Sequence, residues 1–401
     1  MILKLSFTGD IMCSKLQNET VRKKYHSYDV IFDGIRDELK KSDYVCGNLE
    51  TTIAGEDLGY TQTMDSFNTP ESFLSALKNA GFHFFSIANN HIMDRGEEGI
   101  IRTLSALKKA QFDFTGCYNC KEDAENVFVK TLNGVKIAFL SYTYGMNSEY
   151  HGKLLAPEKE FMVDILKRQA PYVKRKLSVK SRIRRLVANC IPSCIKSILR
   201  PKRDITFSAG VLDNVDASEI NNEDNLCYLN RLHDKIQKAR DMADLVVVCL
   251  HCGGQYNNEI GQYTSYIHQL LKNEPVDLVI GNHPHCVLPG IMHDKRLFVY
   301  SLGNFTFTPR DGWYIDGVLA DYSILLNVYV DTESRKISHL GFSIIKNVRD
   351  GDLSQTFLLY DLINKESDYI KKKELIHDGQ EVMKRFVGYS YEEIKKEYPL
   401  C

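Results

Sequence analysis

The sequence predicts an α/β protein built on parallel strands. Over the first 145 residues apolar runs alternate with helix-spaced segments, and a later all-apolar run, Leu245–Leu250, fits a strand buried on both faces. Five apolar runs also stop abruptly on residues able to bind a metal or move a proton. Strand ends in open α/β sheets behave this way, because loops and helix N-termini converge there on ligands.

Leu3–Phe7 is the first strand and delivers Gly9-Asp10 at its carboxyl end. Ile31–Lys40 reads as a helix, and Asp43–Cys46 as a short strand running into Gly47-Asn48-Leu49-Glu50. Pro70 opens a helix over Glu71–Ala80, since proline's missing N–H is not needed in a first turn, and Gly81 stops it. Phe82–Ala88 is a third strand and leads to Asn89-Asn90-His91 and Asp94. The helix after it, Glu97–Ala110, carries Ile100, Leu104 and Leu107 at helical spacing. Phe112–Gly116 and Val135–Tyr142 add strands, the second entered through an Asn133-Gly134 turn.

A helix over Asn225–Met242 feeds the Leu245 run, which ends at His251-Cys252-Gly253-Gly254-Gln255-Tyr256. A helix through Tyr263–Asn273 leads to a strand from Asp277 that stops at Gly281-Asn282-His283-Pro284-His285. Leu297–Tyr300 ends in Ser301-Leu302-Gly303-Asn304-Phe305, and Tyr322–Val330 and Ile337–Ile345 read as two antiparallel strands. Residues 1–350 form one expected domain, and 351–401 a charged helical tail.

With 43% hydrophobic and 26% charged residues among 401, the chain has the make-up of a soluble globular protein with a sizeable core. Fifty-one basic and 52 acidic residues nearly cancel, so no global field favours a nucleic-acid partner. Locally the balance breaks: 153–203 holds fifteen basic and three acidic residues, a surplus of +12 that leaves −13 elsewhere. That asymmetry marks a basic insertion or lid. Its second half interleaves apolar and basic residues around Pro192, which leaves three readings open: a solvated lid, a membrane-surface contact, or a polyanion groove.

Eleven cysteines without a regular framework, Cys46 and Cys249 inside apolar runs, read as thiols of a reducing compartment. Cys117 and Cys120 have redox or zinc spacing but no second pair, and read as ordinary thiols. The N-terminus enters the first strand without a leader pattern, and no run approaches the roughly 20 apolar residues of a membrane-spanning helix. A cytoplasmic location is expected, with the insertion as the means of any peripheral contact with the inner face of the membrane.

The five strand ends hold Asp10, Asn48 and Glu50, Asn90 and His91, His251, and His283 and His285. Such carboxylate, amide and imidazole donors suit Mn, Fe, Zn or Mg rather than a thiolate site. Two adjacent metals need a carboxylate between them, which Asp10 or Glu50 can supply. Pro284 is expected to hold His283 extended and to bend the chain, so that both flanking rings face one site.

Thr8-Gly9-Asp10-Ile11-Met12, Gly47-Asn48-Leu49-Glu50, Ala88-Asn89-Asn90-His91 with Asp94-Arg95-Gly96, His251-Cys252-Gly253, Gly281-Asn282-His283-Pro284-His285 and Tyr300-Ser301-Leu302-Gly303-Asn304-Phe305 occur in this order. Together they resemble the successive motifs of the CapA (PgsA) family of capsule and poly-γ-glutamate synthesis proteins. That family is similar to the calcineurin-like metallophosphoesterases, so the resemblance implies a four-layer α/β/β/α sandwich of metallo-dependent phosphatase type. It further implies Asp10 and His285 as ligands of a first metal, Glu50 as the bridging carboxylate, and Asn90, His251 and His283 as ligands of a second. His91 becomes the general acid, with Asp94 beside it among the catalytic residues. Asn48, Gln255, Tyr256 and Asn304 complete the set as substrate-binding residues. The phosphoesterase pattern has a histidine where this chain, like the CapA relatives, does not; here the residue is Met12. Those relatives usually read His-Trp-Gly-x-Glu-Tyr where this chain has Cys252 and Gln255.

The implied function is metal-dependent hydrolysis of a phosphoester or polymer linkage in capsule or exopolymer biosynthesis. It would use one or two divalent ions per chain, with an anionic polymer or phosphorylated glycan as partner. The alternatives are a non-catalytic assembly factor that holds the polymer in the same pocket, and a nuclease of the metallophosphoesterase kind, which the near-neutral charge disfavours.

Overall fold

The computed structural model describes residues 1–63, 66–171, 212–308 and 317–400. Its strands are β1 (Ile2–Ile11), β2 (Tyr44–Leu49), β3 (Phe84–Ser86), β4 (Asp113–Thr115), β5 (Phe128–Leu132), β6 (Val135–Thr143) and β7 (Leu245–His251). They continue with β8 (Leu278–Asn282), β9 (Val287–His293), β10 (Arg296–Leu302), β11 (Tyr322–Asp331), β12 (Lys336–Asp350), β13 (Leu353–Leu358) and β14 (Tyr398–Leu400). One sheet runs β13-β12-β11-β1-β2-β3-β4 with β14 also on β12, and the other runs β5-β6-β7-β8-β10-β9. In the first sheet β1 to β4 pair in parallel, and in the second β6, β7, β8 and β10 do so.

Alternation along the strands builds the layers, because successive side chains leave opposite faces of a sheet. Leu3, Leu5 and Phe7 of β1, Tyr44 and Cys46 of β2, and Phe84 of β3 point between the sheets. There they meet Val135, Ile137 and Phe139 of β6, Leu245, Val247 and Cys249 of β7, and Leu278 and Ile280 of β8. Phe84 and Phe139 pack across this seam with ring centres 4.5 Å apart. The intervening residues face outward. Val45, Leu49 and Phe85 meet helices α1 (Ser72–Ala80) and α2 (Gly96–Lys109). Ala138, Leu140, Val246, Val248 and Val279 meet α4 (Leu226–Met242) and α5 (Gln262–Lys272), while the short α3 (Lys121–Glu125) lies before β5. The result is the expected α/β/β/α sandwich.

Past residue 350, β13 and β14 both pair with β12, and Val382, Met383 and Phe386 of α6 (Tyr369–Val387) close one end of the inter-sheet core. The helix expected over Ile31–Lys40 is not continuous: a 3-10 turn at Tyr28–Ile31 is followed only by Arg36–Leu39. Gly34 lies between them against the Phe357 ring, which occupies the space a β-carbon would need. Of the basic insertion, 153–171 lies along the strand ends, with Val163 bridging Cys117 and Ile165 bridging Thr143. Residues 172–203, including the apolar and basic mixture around Pro192, lie outside the described residues. Among the described residues no helix is long and apolar enough to cross a membrane.

The two sheets touch where β1 and β10 end. Asp10 bridges Asn304; its N–H donates to Gly303 O at 2.9 Å and its carbonyl accepts from Phe305 N at 2.8 Å. Glycine makes the approach possible. A β-carbon at Gly9 would stand 1.8 Å from Gly303 O, and one at Gly303 would stand 2.8 Å from Tyr322 O. We therefore expect Gly9→Ala to part the sheets at this junction and to destabilise the fold by about 3 kcal/mol or more. Urea denaturation measures it, and a loss under about 1 kcal/mol would mean that the junction gives way freely.

Candidate metal centre

Five strand ends converge on the junction. β1 brings Asp10, β2 brings Asn48 and then Glu50, β3 leads to Asn90 and His91, β7 ends on His251, and β8 leads to His283 and His285. Donor atoms of Asp10, Glu50 and His285 lie within 4.8 Å of one another, as do those of Glu50, His251 and His283. Glu50 is common to both groups. Asn90 Oδ1 lies 2.6 Å from His251 Nε2, which puts its carbonyl with the second group.

The turn after β8 departs from expectation. His283 has φ 97° and His285 φ 57°, so neither is extended. The bend is thus made by two non-glycine residues in the left-handed region, a conformation that costs of order 1–3 kcal/mol each and persists where surrounding contacts enforce it. His283 N donates to Asp10 Oδ2 at 3.2 Å, and Tyr256 N to Pro284 O at 2.8 Å.

Asp10 is fully enclosed, and burial alone would raise its carboxyl pKa. The hydrogen bond and charge of His285, with His251 and Asn48, overcome this and lower it. Glu50 has no such relief. Neither of its oxygens has a hydrogen-bond partner among the described residues, and its nearest basic groups are His251 Nε2 at 3.4 Å, His91 Nε2 at 3.8 Å and His285 Nε2 at 3.9 Å. Burial, reinforced by the Asp10 charge, pushes its pKa well above the ordinary 4.5. Burial also drives His251 down to about 3 and His283 well below the usual imidazole value, so both stay neutral and keep a free donor pair. Neutral imidazoles around an orphaned carboxylate are the donor set of a borderline divalent cation. These residues fit a metal, and Asp10, Glu50, Asn90, His251, His283 and His285 are the ones that would hold it.

His91 sits to one side. Its Nδ1 is 2.7 Å from Asp94 Oδ2, Phe67 packs edge-on at 4.6 Å, and its Nε2 faces Glu50 and Asn147. Burial lowers its pKa, but the Asp94 charge and hydrogen bond outweigh this and raise it.

Asn48 and Asn304, expected at the substrate, are instead enclosed at 1% and 0% exposure and hold ligands in place. Asn48 donates to Asp10 Oδ1 at 2.7 Å and lies 3.2 Å from His251 Nδ1. Asn304 accepts at 3.0 Å from His285 Nδ1 and donates to the carbonyl of the same residue. Gln255 Nε2 is 3.4 Å from His285 Nε2, and the Tyr256 ring centre is 5.3 Å from that imidazole.

Met12 supplies no donor. It is buried against Phe67 and Phe307. Two asparagines unremarked in the sequence also reach the site. Asn147 donates toward His91 Nε2 and accepts from Asn90 Nδ2 at 3.1 Å, and Asn214 bonds His283 Nε2 and the Tyr144 hydroxyl. Both lie in irregular segments with no periodicity or motif to mark them.

Two predictions follow from this geometry. His251→Ala and His283→Ala should each weaken divalent-metal affinity by at least the roughly 10- to 100-fold that loss of an outer partner costs, with the fold intact by circular dichroism. Unchanged metal content in both would remove the centre. Glu50→Gln should lose metal, yet melt higher than metal-free wild type at alkaline pH. A raised carboxyl pKa stabilises fully below the unfolded value and loses that contribution as pH rises, so the gap should close toward pH 4.5. Melting curves across pH test the sign.

The comparisons with known proteins agree with this architecture in naming a family. The family model described as bacterial capsule synthesis protein PGA_cap matches residues 4–309. A capsule biosynthesis protein CapA from Bacillus anthracis is 26% identical over 318 residues, covering 78% of this chain and 61% of the relative. A PGA biosynthesis protein CapA from Bacillus subtilis (strain 168) is 25% identical over 331 residues, covering 81% of this chain and 69% of the relative. The chain thus spans less than two thirds of the Bacillus anthracis protein's length. A solved structure described as a novel phosphatase from Mycoplasma pneumoniae aligns over 86% of this chain and 94% of its own, with a TM-score of 0.40 and 11% identity. By the match across residues 4–309, the chain belongs to the bacterial capsule synthesis protein family PGA_cap.

Proposed function

We propose that the protein is a metal-dependent hydrolase of capsule or exopolymer biosynthesis, acting on a phosphoester or polymer linkage. The observation that carries this reading is Glu50, a buried carboxylate without a hydrogen bond among the described residues, common to two groups of side chains that could hold a metal. A divalent cation bound there supplies Lewis acidity toward a phosphoryl or acyl oxygen and lowers the pKa of a water.

The chain's own residues supply the rest. Asn48 and Asn304 orient Asp10, His251 and His285 by the hydrogen bonds described above. Asp94 holds His91 by Nδ1, which leaves Nε2 turned toward Glu50. The raised pKa favours the protonated imidazole, the form that can deliver a proton from Nε2 to a leaving oxygen, as a general acid must. The partner in this proposal is an anionic polymer or phosphorylated glycan, drawn by the basic stretch that begins at Lys153. Contact of that stretch with a membrane surface belongs to the same proposal.

Elemental analysis, paired with hydrolysis of a generic phosphodiester and phosphomonoester under added Mn, Zn or Mg, tests the reading. Bound metal is expected, with turnover reduced about 100-fold or more in His91→Ala. Bound metal without turnover under any ion, and polymer binding that survives His91→Ala and chelation, would replace the hydrolase with a polymer-holding assembly factor. Where turnover is seen, Asp94→Asn should move the alkaline limb of the rate profile to lower pH. An acid works only while protonated, and loss of the Asp94 charge lowers the pKa of His91. An unmoved limb would assign the proton to another group.

A further inference from the structure

A second cleft of about 470 Å³ opens on the outer face of the second sheet, away from the metal centre. α4 forms one wall with Tyr228, Arg231, Lys235 and Lys238, whose spacing of three or four puts them on one helix face. The opposite wall is the segment from Pro157 to Ile165, with Phe161, Val163 and Ile165 as its apolar surface, and α3 closes an end. The floor includes Tyr142 of β6.

Three features of this cleft are unspent by the fold. The Tyr142 hydroxyl is buried, at 1% exposure for the residue, and has no hydrogen-bond partner among the described residues. Such a group costs free energy unless something supplies the missing bond. Arg231, exposed on its helix, stacks over the Tyr228 ring at 5.4 Å; its charge favours ionised Asp164, but no carboxylate among the described residues is in ion-pair contact with it. Glu158 and Asp234 line the same cleft and likewise lack an ion pair among the described residues. By contrast the deep pair is complete: Lys235 holds both oxygens of Asp164 at 2.8 Å, and the Tyr118 hydroxyl donates to the same carboxylate at 2.6 Å.

We propose that this cleft binds a small zwitterion of the amino-acid or dipeptide class. Its carboxylate takes the guanidinium of Arg231, whose planar fork suits a bidentate anion. The ammonium lies toward Glu158 and Asp234, and the apolar body rests on Phe161, Val163 and Ile165. An amide or carboxyl group of the ligand meets the Tyr142 hydroxyl. An anion alone would leave Glu158 and Asp234 unanswered, and a cation alone would leave Arg231 so. A run of backbone pairings leads from the cleft to His251. Thr143 N donates to Asp164 O, Leu166 N donates to Thr143 O, and Thr143 pairs with His251 across the parallel ladder.

Titration of the full chain with Ala-Leu dipeptide by calorimetry tests the site, with capped N-acetyl-Ala-Leu-amide and inorganic phosphate as comparisons. The dipeptide should bind, and the capped form and phosphate at least tenfold more weakly. Arg231→Ala and Tyr142→Phe should each reduce dipeptide affinity tenfold or more, with metal content unchanged. Tyr142→Phe carries the sharper test. A hydroxyl that serves the fold lowers the melting temperature when removed, whereas one kept for a ligand leaves it unchanged or higher. A lower melting temperature in Tyr142→Phe, equal binding of the capped dipeptide, binding of phosphate alone, or no binding at all would each overturn the proposal.

Discussion

The contact between Gly9 and Gly303 is the constraint on which the site rests. Two sheets packed face to face ordinarily stand about 10 Å apart, a gap filled by side chains. Here the seam is filled by Phe84, Phe139 and their neighbours over most of its extent, then narrows to backbone hydrogen bonds at Asp10 and Gly303. Side chains must be absent at that point, and Gly9 and Gly303 provide the absence. Because the sheets close there, residues from β1 and β2 of one sheet and from β7 and β8 of the other come within donor distance of one another. A single sheet could not surround Glu50 with imidazoles in this way.

Closure also sets the electrostatics. Excluding water from Glu50 raises the cost of its charge, and no N–H or O–H among the described residues offsets it. Asp10, a few ångströms away, is equally buried but has an amide and a backbone N–H, and shares His285 Nδ1 with Asn304. The two carboxylates therefore differ: Asp10 is anchored by the protein, and Glu50 is the one a cation would relieve. Metal binding and folding are linked through this one group, since whatever holds Glu50 ionised also removes the penalty of burying it.

Much of this was legible in the sequence, for physical reasons. Strands buried on both faces, such as β7, are continuous apolar runs, and their ends are marked by the first polar residues; hence Asp10, Glu50, Asn90, His251 and the two histidines around Pro284 could be picked out before any fold was known. Elements at the margins were harder to read. β9 contains Pro289-Gly290, which resembles a turn, yet it is an edge strand, where a missing N–H is tolerated. The break at Gly34 depends on Phe357, more than 300 residues away in sequence. The placement of Asn48 and Asn304 behind the ligands is a matter of burial, which residue type does not reveal. Asn147 and Asn214 come from irregular segments, where nothing periodic distinguishes one asparagine from another.

Met12 brings no imidazole to the candidate centre but has a packing role beside it. Met12 shares a small apolar cluster with Phe67 and Phe307, and the Phe67 ring packs on His91 while its backbone N–H donates to Asp94. The residue that gives up a donor to one metal group thus supports the wall that seats the His91–Asp94 pair. An imidazole at position 12 would have to enter that apolar cluster beside Phe67 and find a partner for its second nitrogen there, or remain unsatisfied. The two halves of the centre are consequently unequal in kind: the half with His251, His283 and the Asn90 carbonyl is rich in fixed donors, while the half with Asp10 and His285 has given part of its shell to packing. That asymmetry places the firmer hold on a cation at the side of Glu50 that faces His251 and His283.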